Sequence, residues 1–358
     1  MTTFDLILVG YGNVARRFES LLAEQRPALA RIVGIATRRH GCAYGPKGVS
    51  GSSRTAGPPH DGHHRNTDTL PFLRDALRRS AAAAKQRRLV VVETTTLDIA
   101  RGEPATSHIR AALAHGAHVI TANKGPVAFA YRALARAAER ADRRFLFEGT
   151  VMDGVPIFNL VRETLPAVKI LGFRGVVNST TNFILTAMEQ GQRFEEALAE
   201  MQARGIAEAV PSLDVDGWDA AAKTAALANV LLGANLTPKD VDRQGIGPET
   251  GPLARGARAA GRRLKLVARA ERDGRRIVAR VSPEQLRGDD LLAGLEGAQN
   301  ALILTTDLLG EIAIVQRSGG LTQTASALLS DLISIERRLS REPATRRAPP
   351  AARRRRTP

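Results

Sequence analysis

Four residues in the segment LDVDGWDAAAKTAALAN, positions 213–229, have the types and spacing for proton chemistry: Asp214, Asp216, Asp219 and Lys223. Asp219 and Lys223 stand at i and i+4, so on a helix they share one face, with Ala220, Ala221 and Ala222 between them. An exposed pair of this kind is an ordinary salt bridge worth roughly a few tenths of a kcal/mol. The following TAALANVLLGA carries no charge, however, which predicts a helix buried over much of its circumference and a lysine facing a cleft. Upstream, GIAEAVPSLD brings Glu208 and Asp214 to the same neighbourhood. Acids so grouped can hold a substrate ammonium, and a lysine whose charge is disfavoured by burial or by a second cation can accept a proton. Oxidation of an amino alcohol fits such a set. Asp216 or Gly217 is the expected helix start, where an early carboxylate accepts free backbone N–H groups.

Gly10, Gly12 and Ala15 form GxGxxA between an apolar run and an amphipathic one. The first glycine permits a tight turn, the second lets backbone approach a pyrophosphate, and the small third residue lets helix and strand pack closely. An isolated pattern of this kind is also compatible with a plain tight turn. Where the next strand ends, a carboxylate would bind the ribose of NAD. The chain has Thr37, Arg38 and Arg39 there, so a 2′-phosphate and NADP(H) are favoured, although a solvated basic turn reads the same. Lys124, in VITANKGPVA, follows a strand end and would enter the crevice where ligands bind, or lie at the surface. Glu148, in FEGTVMDGVPI, adjoins a glycine-containing turn whose carbonyls could hold a cation or that serves as a hinge.

These residues need a scaffold. FDLILVG (4–10) reads as a strand, YGNVARRFESLLAEQ as an amphipathic helix and RIVGIATRR (31–39) as a second strand. Residues 40–66 read as a long loop; it contains His60, His63 and His64, whose spacing lacks the supporting carboxylates of a metal site. A helix around 69–85, the strand RLVVVETTT, the helix ATSHIRAALAHG and the strand AHVITAN continue the alternation to about residue 148. That rhythm predicts an α/β fold, a Rossmann-type doubly wound parallel sheet covered on both faces. Beyond it the rhythm breaks. Mostly helical residues 194–235, late strands RRIVARVS, ALILTTDLL and EIAIVQR, and a last helix in TASALLSDLISIERRL predict a second α+β region.

The 358 residues allow two or three domains, and 43% hydrophobic with 25% charged residues is ordinary for a globular chain. No apolar run is long enough to span a membrane and the N-terminus does not read as a signal peptide, so a cytoplasmic location is expected. The single cysteine, Cys42, excludes an intramolecular disulfide and reads as an ordinary loop thiol. Half of the formal charge of +16 sits in residues 337–358, which hold nine arginines against one acid, Glu342. This proline- and arginine-rich tail is too poor in apolar residues to order itself. A nucleic-acid-binding protein is the rival class, but the tail lacks aromatic stacking residues and no specific nucleic-acid partner is expected.

The chain resembles homoserine dehydrogenases in GYGNVA, TANKGPVA, FEGTVMDGVPIFNL, GVVNSTTNFILTAM, GIAEAVPSLDVDGWDAAAKTAALAN and DVDRQGIG, in order over about residues 4–335. The resemblance implies reversible conversion of L-homoserine and L-aspartate 4-semialdehyde with NAD(P)(H), in the aspartate route to threonine and methionine. A related amino acid dehydrogenase with a different small substrate is the alternative. Carried over by motif, Lys223 is the proton-exchanging lysine, Asp219 its partner, and Lys124 the second lysine at the reacting centre. Glu208 and Asp214 correspond to acids that hold the amino acid part, and Ser179 and Thr180 to a turn presented to substrate. The implied cofactor set is Gly10, Gly12, Asn13, Val14, Arg38, Arg39, Thr95 and Lys124. Glu148, Val151 and Asp153 lie where some members bind Na+, largely through main-chain oxygens.

The implied architecture has an NAD(P)-binding domain at 1–135 to which a C-terminal helix, 322–338, returns. It adds a dimerisation region at 136–165 and 300–320, a catalytic region at 166–299 and a disordered tail at 339–358, in a homodimer or homotetramer. Departures from the family pattern are Ala15 for the third glycine, Val210 where an acid often stands, and the altered loop RSGGLTQT at 317–324. The C-terminal ACT domain of many relatives is absent from the pattern, and feedback by threonine through it is not expected.

Overall fold

Strand β1 (Phe4–Val9) is buried along its whole length, and its alternate side chains enter two different cores. Leu6 and Leu8 join one cluster, while Ile7 and Val9 join another. Two covered faces are what a parallel sheet requires. The structure, a computed structural model, describes residues 4–38, 41–49, 69–83, 88–203 and 211–341. The chain runs from β1 through α1 (Asn13–Gln25), β2 (Ala30–Thr37), β3 (Gly41–Tyr44), α2 (Thr69–Ala83), β4 (Leu89–Glu93), α3 (Ala105–Ala114), β5 (His118–Thr121), α4 (Lys124–Arg140) and β6 (Phe145–Leu146).

Among the described residues these six strands form one sheet in the order β3-β2-β1-β4-β5-β6. All neighbouring pairs are parallel except β2 with β3. The expected doubly wound sheet is therefore present, with its topological switch between β1 and β4. Two local expectations change. Residues 41–44 are an edge strand rather than loop, and Cys42 is buried within it. So short a run is a strand only because Gly34–Thr37 of β2 pairs with it, which no local pattern announces. The sheet also runs past residue 135, since β6 pairs with β5.

The second region follows with β7 (Ile170–Val176), α5 (Ser179–Glu189), α6 (Phe194–Ala203), α7 (Ser212–Val215), α8 (Trp218–Leu231), β8 (Asp242–Arg243), α9 (Thr250–Ala259), β9 (Arg262–Asp273), β10 (Arg276–Arg287), β11 (Asn300–Thr306) and β12 (Glu311–Gln316). Its sheet has the order β12-β11-β7-β9-β10-β8 and is antiparallel apart from β10 with β8. Residues 300–316 thus share one sheet with the 166–299 region. Strand β9 has no clear sequence signature: seven charged residues in RRLKLVARAERD mask a strand whose Leu264, Leu266, Ala268 and Ala270 are buried.

The last helix, α10 (Leu321–Arg341), returns to the first sheet: Leu328 and Leu332 share a core with Leu6, Leu8 and Phe18 of α1. It extends through Leu339, Ser340 and Arg341, so the helix takes the first residues assigned to the tail; residues 342–358 lie outside the described ones.

Candidate active site

Helix α1 begins at the carboxyl end of β1, beside the switch point. Gly10 has φ +86°, and a Cβ there would lie 2.7 Å from the carbonyl carbon of Thr94, so the β1 and β4 loops approach too closely for any side chain. Gly12, the residue before α1, has open space where a Cβ would be, and no side chain caps the helix. Free first-turn N–H groups beside open space suit a pyrophosphate. Ala15 is fully buried, as close packing requires. Asn13 and Val14 form the first turn of α1, and Arg38 is exposed just after β2. Arg39 lies outside the described residues.

The opposite wall is built from β4 and β5. Glu93, fully buried at the end of β4, accepts hydrogen bonds from the Thr95 N–H (3.0 Å), the Thr95 hydroxyl and the Thr121 hydroxyl (3.0 Å). Asn123 donates to the Thr95 carbonyl (3.0 Å), while its Oδ1 accepts from Gly125 N–H (2.9 Å) and caps α4. The cap fixes Lys124 as the first residue of that helix, pointing from the nucleotide domain toward the second region.

Helix α8 completes the site. Ala220, Ala221, Ala222, Ala225, Ala226 and Ala228 are at most 2% exposed, and such small residues permit close packing. Asn229 ties α8 to α4 by donating to the carbonyls of Val127 and Ala128, both at 3.2 Å. Lys124 Nζ then lies 2.9 Å from one oxygen of Asp219, and Lys223 Nζ lies 2.9 Å from the other. Their side chains are only 13–19% exposed. Lys223 also donates to the Val177 carbonyl at 2.7 Å.

Burial pushes the Asp219 carboxyl up, but the charges of Lys124 and Lys223 outweigh it and hold the group well below the usual carboxylate range. Burial likewise opposes the Lys223 charge, yet Asp219, then Asp153 and Asp214, raise it above the ordinary lysine value. The Lys223 charge is thus favoured, contrary to the expectation that burial or a second cation would disfavour it. Asp214 is raised by burial and by Asp219, against the hydrogen bond from Asn178.

Asn178 was not singled out in the sequence. Its Nδ2 donates to Asp214 (2.8 Å) and Asp219 (2.9 Å), while its Oδ1 accepts from Thr181 N–H (2.9 Å) to cap α5. The available signal was an Asn preceding STTNFIL, a helix-start pattern. Ser179 opens α5, and Thr180 is 4% exposed beside Asp214. Asp216 does not cap α8: it ends α7, and α8 starts after Gly217, whose φ is +79°. Arg243 donates to the Asp216 carbonyl and stacks 3.9 Å above the Trp218 ring, which pins the start of α8.

Glu148, Val151 and Asp153 fall between the two regions. The Glu148 carboxylate accepts backbone N–H bonds from Ile157 (2.6 Å), Phe158 (2.8 Å) and Asn159 (2.6 Å). Burial raises its pKa against these bonds, and the adjacent Asp331 is pushed up to about 7 by burial and by Glu148. Asp153, with φ +47°, accepts from Gln316 (3.3 Å) and Thr324 (3.4 Å). Among the described residues no group of His, Cys, Asp or Glu side chains is placed to hold a metal ion.

Lys124, Asp214, Asp219, Lys223, Ser179 and Thr180 therefore converge, with the Gly10–Gly12 turn at the switch point of the same domain as Lys124. Glu208, Val210 and the His60, His63, His64 group lie outside the described residues. A hollow of about 630 Å3 at the far end of α4, lined by Tyr131, Phe145 and Arg338 among others, shares no residue with this constellation.

A family profile described as homoserine dehydrogenase, NAD binding domain, matches residues 10–148, and one described as homoserine dehydrogenase matches residues 156–333. The chain is 37% identical to an NAD(+)-dependent homoserine dehydrogenase of Pseudomonas canavaninivorans over 96% of this chain and 99% of that one. It is 36% identical to a homoserine dehydrogenase of Methanocaldococcus jannaschii, over 92% and 98% of the two chains. Among solved structures, a homoserine dehydrogenase from Thiobacillus denitrificans superposes with TM-score 0.78 at 29% identity, over 97% of this chain and 76% of that one. One from Thermoplasma acidophilum gives TM-score 0.76 at 26% identity, over 93% and 99%.

Proposed function

The chain belongs to the homoserine dehydrogenase family, and from that premise we propose that Asp219, Lys124 and Lys223 are the groups through which it performs the family's reaction. That reaction is the reversible interconversion of L-homoserine and L-aspartate 4-semialdehyde in the aspartate route to threonine and methionine. The observation that carries the assignment is one carboxylate bridging lysines from two domains.

Bound nicotinamide supplies or accepts the hydride at C4 of the substrate. Lys223 exchanges the proton of the substrate oxygen, and Lys124 shares in stabilising charge that develops on that oxygen. Asp219 keeps both ammonium groups in place. The raised pKa of Lys223 means that it waits as an ammonium, ready to donate in the reducing direction; oxidation requires that it first release its proton. Asp214, with Glu208, receives the substrate ammonium, and Ser179 and Thr180 face the remainder of the amino acid.

The cofactor set is Gly10, Gly12, Asn13, Val14, Arg38, Arg39, Thr95 and Lys124. The end of β2 offers Arg38 and no acid for a ribose hydroxyl, which supports NADP(H) with NAD(H) also accepted. The NAD(+) named for the Pseudomonas relative supports the opposite preference. Comparing kcat/KM with the two cofactors, in the unaltered chain and in Arg38→Ala, decides between them. Loss of NADP use alone in the variant would support the phosphate reading.

The side chains of Glu148 and Asp153 are engaged by protein donors, so a sodium ion at this turn would rest on main-chain oxygens of Glu148, Val151 and Asp153 and would be structural. Self-association through the second sheet is part of the same proposal. Strand β12 is an edge strand with Ala313 and Val315 exposed, and Val315 is 46% exposed. A cytoplasmic setting completes it; no helix among the described residues is long and apolar enough to cross a membrane.

The decisive assay follows reduced nicotinamide by absorbance, with L-homoserine and NADP or NAD supplied separately and Lys223→Ala run alongside. Turnover by the unaltered chain that the variant loses supports the assignment. Undiminished turnover in the variant overturns it.

A further inference from the structure

Asn300 opens β11 and Gln316 closes β12, and the two face each other in register. Both are buried, at 2% and 5% exposure. Asn300 Nδ2 donates to Ser179 Oγ at 2.8 Å and to Gln316 Oε1 at 3.2 Å. Gln316 Nε2 donates to Asp153 Oδ2 at 3.3 Å, and the Thr324 hydroxyl donates to the other oxygen of Asp153 at 3.4 Å. Gly319 is part of this arrangement, because a Cβ there would run into the Asp153 carboxylate and crowd the Gln316 amide.

The chain of bonds has a direction. An ionised carboxylate only accepts, so Gln316 must turn its amide nitrogen toward Asp153 and its oxygen toward Asn300. Asn300 must then present its own nitrogen, and the same nitrogen reaches Ser179. Reversing either amide would set oxygen against oxygen. The imposed orientation leaves Asn300 Oδ1 buried with no partner, as expected where the arrangement answers to Asp153 and not to Asn300. Ser179 Oγ is thereby an acceptor toward the protein interior, and its single hydrogen is free to point outward. Ser179 is partly exposed, whereas its neighbours Asn178 and Thr180 are each 4% exposed and turned toward the acids. It also sits in the first turn of α5, an 11-residue helix whose N-terminal dipole favours an anion.

We propose that Asp153, acting through Gln316 and Asn300, fixes the Ser179 hydroxyl as a hydrogen-bond donor to the carboxylate of the amino acid substrate. Asp153, Gln316 and Asn300 are positioning residues, and the inference rests on the homoserine reading. It divides recognition between two sides: acids take the substrate ammonium, and the start of α5 takes its carboxylate.

The test is a double-substitution cycle on the full chain. Gln316→Met keeps the length of the side chain, removes its polar atoms and leaves the Asp153 charge in place. It should raise KM for L-homoserine about tenfold, the size of one hydrogen bond to a charged group, with kcat and the KM for the dinucleotide nearly unchanged. In a Ser179→Ala background the same change should add nothing. Competitive inhibition by L-2-aminobutyrate, which keeps the carboxylate, should weaken in Gln316→Met, while inhibition by 3-aminopropan-1-ol, which lacks it, should not.

Asn300→Asp, equal in shape, gives a second reading should Gln316→Met fold poorly: an acceptor facing Ser179 turns its hydrogen inward, and KM for L-homoserine should rise likewise. Unchanged KM in these variants, or increments that multiply with Ser179→Ala, would overturn the proposal alone. Failure of the unaltered chain to turn over L-homoserine would overturn the homoserine reading with it.

Discussion

Asp219 receives Lys124 on one carboxylate oxygen and Lys223 on the other, each at 2.9 Å. One lysine comes from the nucleotide domain and the other from the same helix as the acid, so the bridge joins the two halves of the molecule as well as two charges. Replacing Asp219 by Asn keeps the shape and removes the charge. Lys223 then loses the largest influence that raises its pKa. In the proposed mechanism homoserine oxidation needs the unprotonated Lys223 amine, so the rise of kcat/KM with pH should begin at lower pH in Asp219→Asn, with a lower maximum from poorer placement. A pH–rate profile that keeps its midpoint would contradict the role given to this carboxylate.

Lys223→Ala should lower kcat by roughly 10²–10⁴-fold, the usual range for removal of a positioned acid–base group. Stability should change little, because Asp219 retains Lys124 as a partner. Steady-state kinetics together with a thermal melt checks both halves. A large fall in melting temperature would mean that the loss of activity reports folding.

Lys265 gives a pH signature in stability. It is fully buried in β9, donates to Asn182 Oδ1 (3.0 Å) and to the Leu295 carbonyl (2.5 Å), and burial lowers its pKa to about 8. The unfolded chain keeps this proton to about pH 10.4. Between those values the unfolded state binds more protons than the folded one, so this residue's contribution to stability rises with pH by up to about 1.4 kcal/mol per unit. Melting temperatures of the unaltered chain and Lys265→Met, measured from pH 7 to 10, should move in favour of the unaltered chain as pH rises. A constant gap would refute the shift.

If the protein self-associates through β12 and its sheet, as proposed, Val315→Arg should dissociate the copies. The residue lies on an edge strand and is 46% exposed, and an arginine in a symmetric contact would face its own copy or a desolvated surface. Light scattering of the eluting protein reads the mass directly. An unchanged mass would refute a contact between copies through β12.

Much of this was legible in the sequence because it is local. The strand–turn–helix with Gly10, Gly12 and Ala15 follows from alternation and from the glycine requirement of a tight turn, and the i, i+4 placement of Asp219 and Lys223 follows from helical geometry. The family motifs, being contiguous, were equally readable. What remained hidden depends on pairing and packing that residue types alone do not specify. Strand β3 exists through its pairing with β2, and β9 hides its apolar face among charges. The sign of the Lys223 shift was not available from a list of nearby residues, because burial and opposite charge act against each other and only distances decide which prevails. Asn178 and Asn229, one between two acids and one between two helices, do by hydrogen bonding what no motif declared. The sequence by itself determined which groups are proposed to do the chemistry and which elements carry them. Tertiary structure decided their charge states and brought Lys124 to Asp219, since both depend on packing two helices 95 positions apart at their reactive ends.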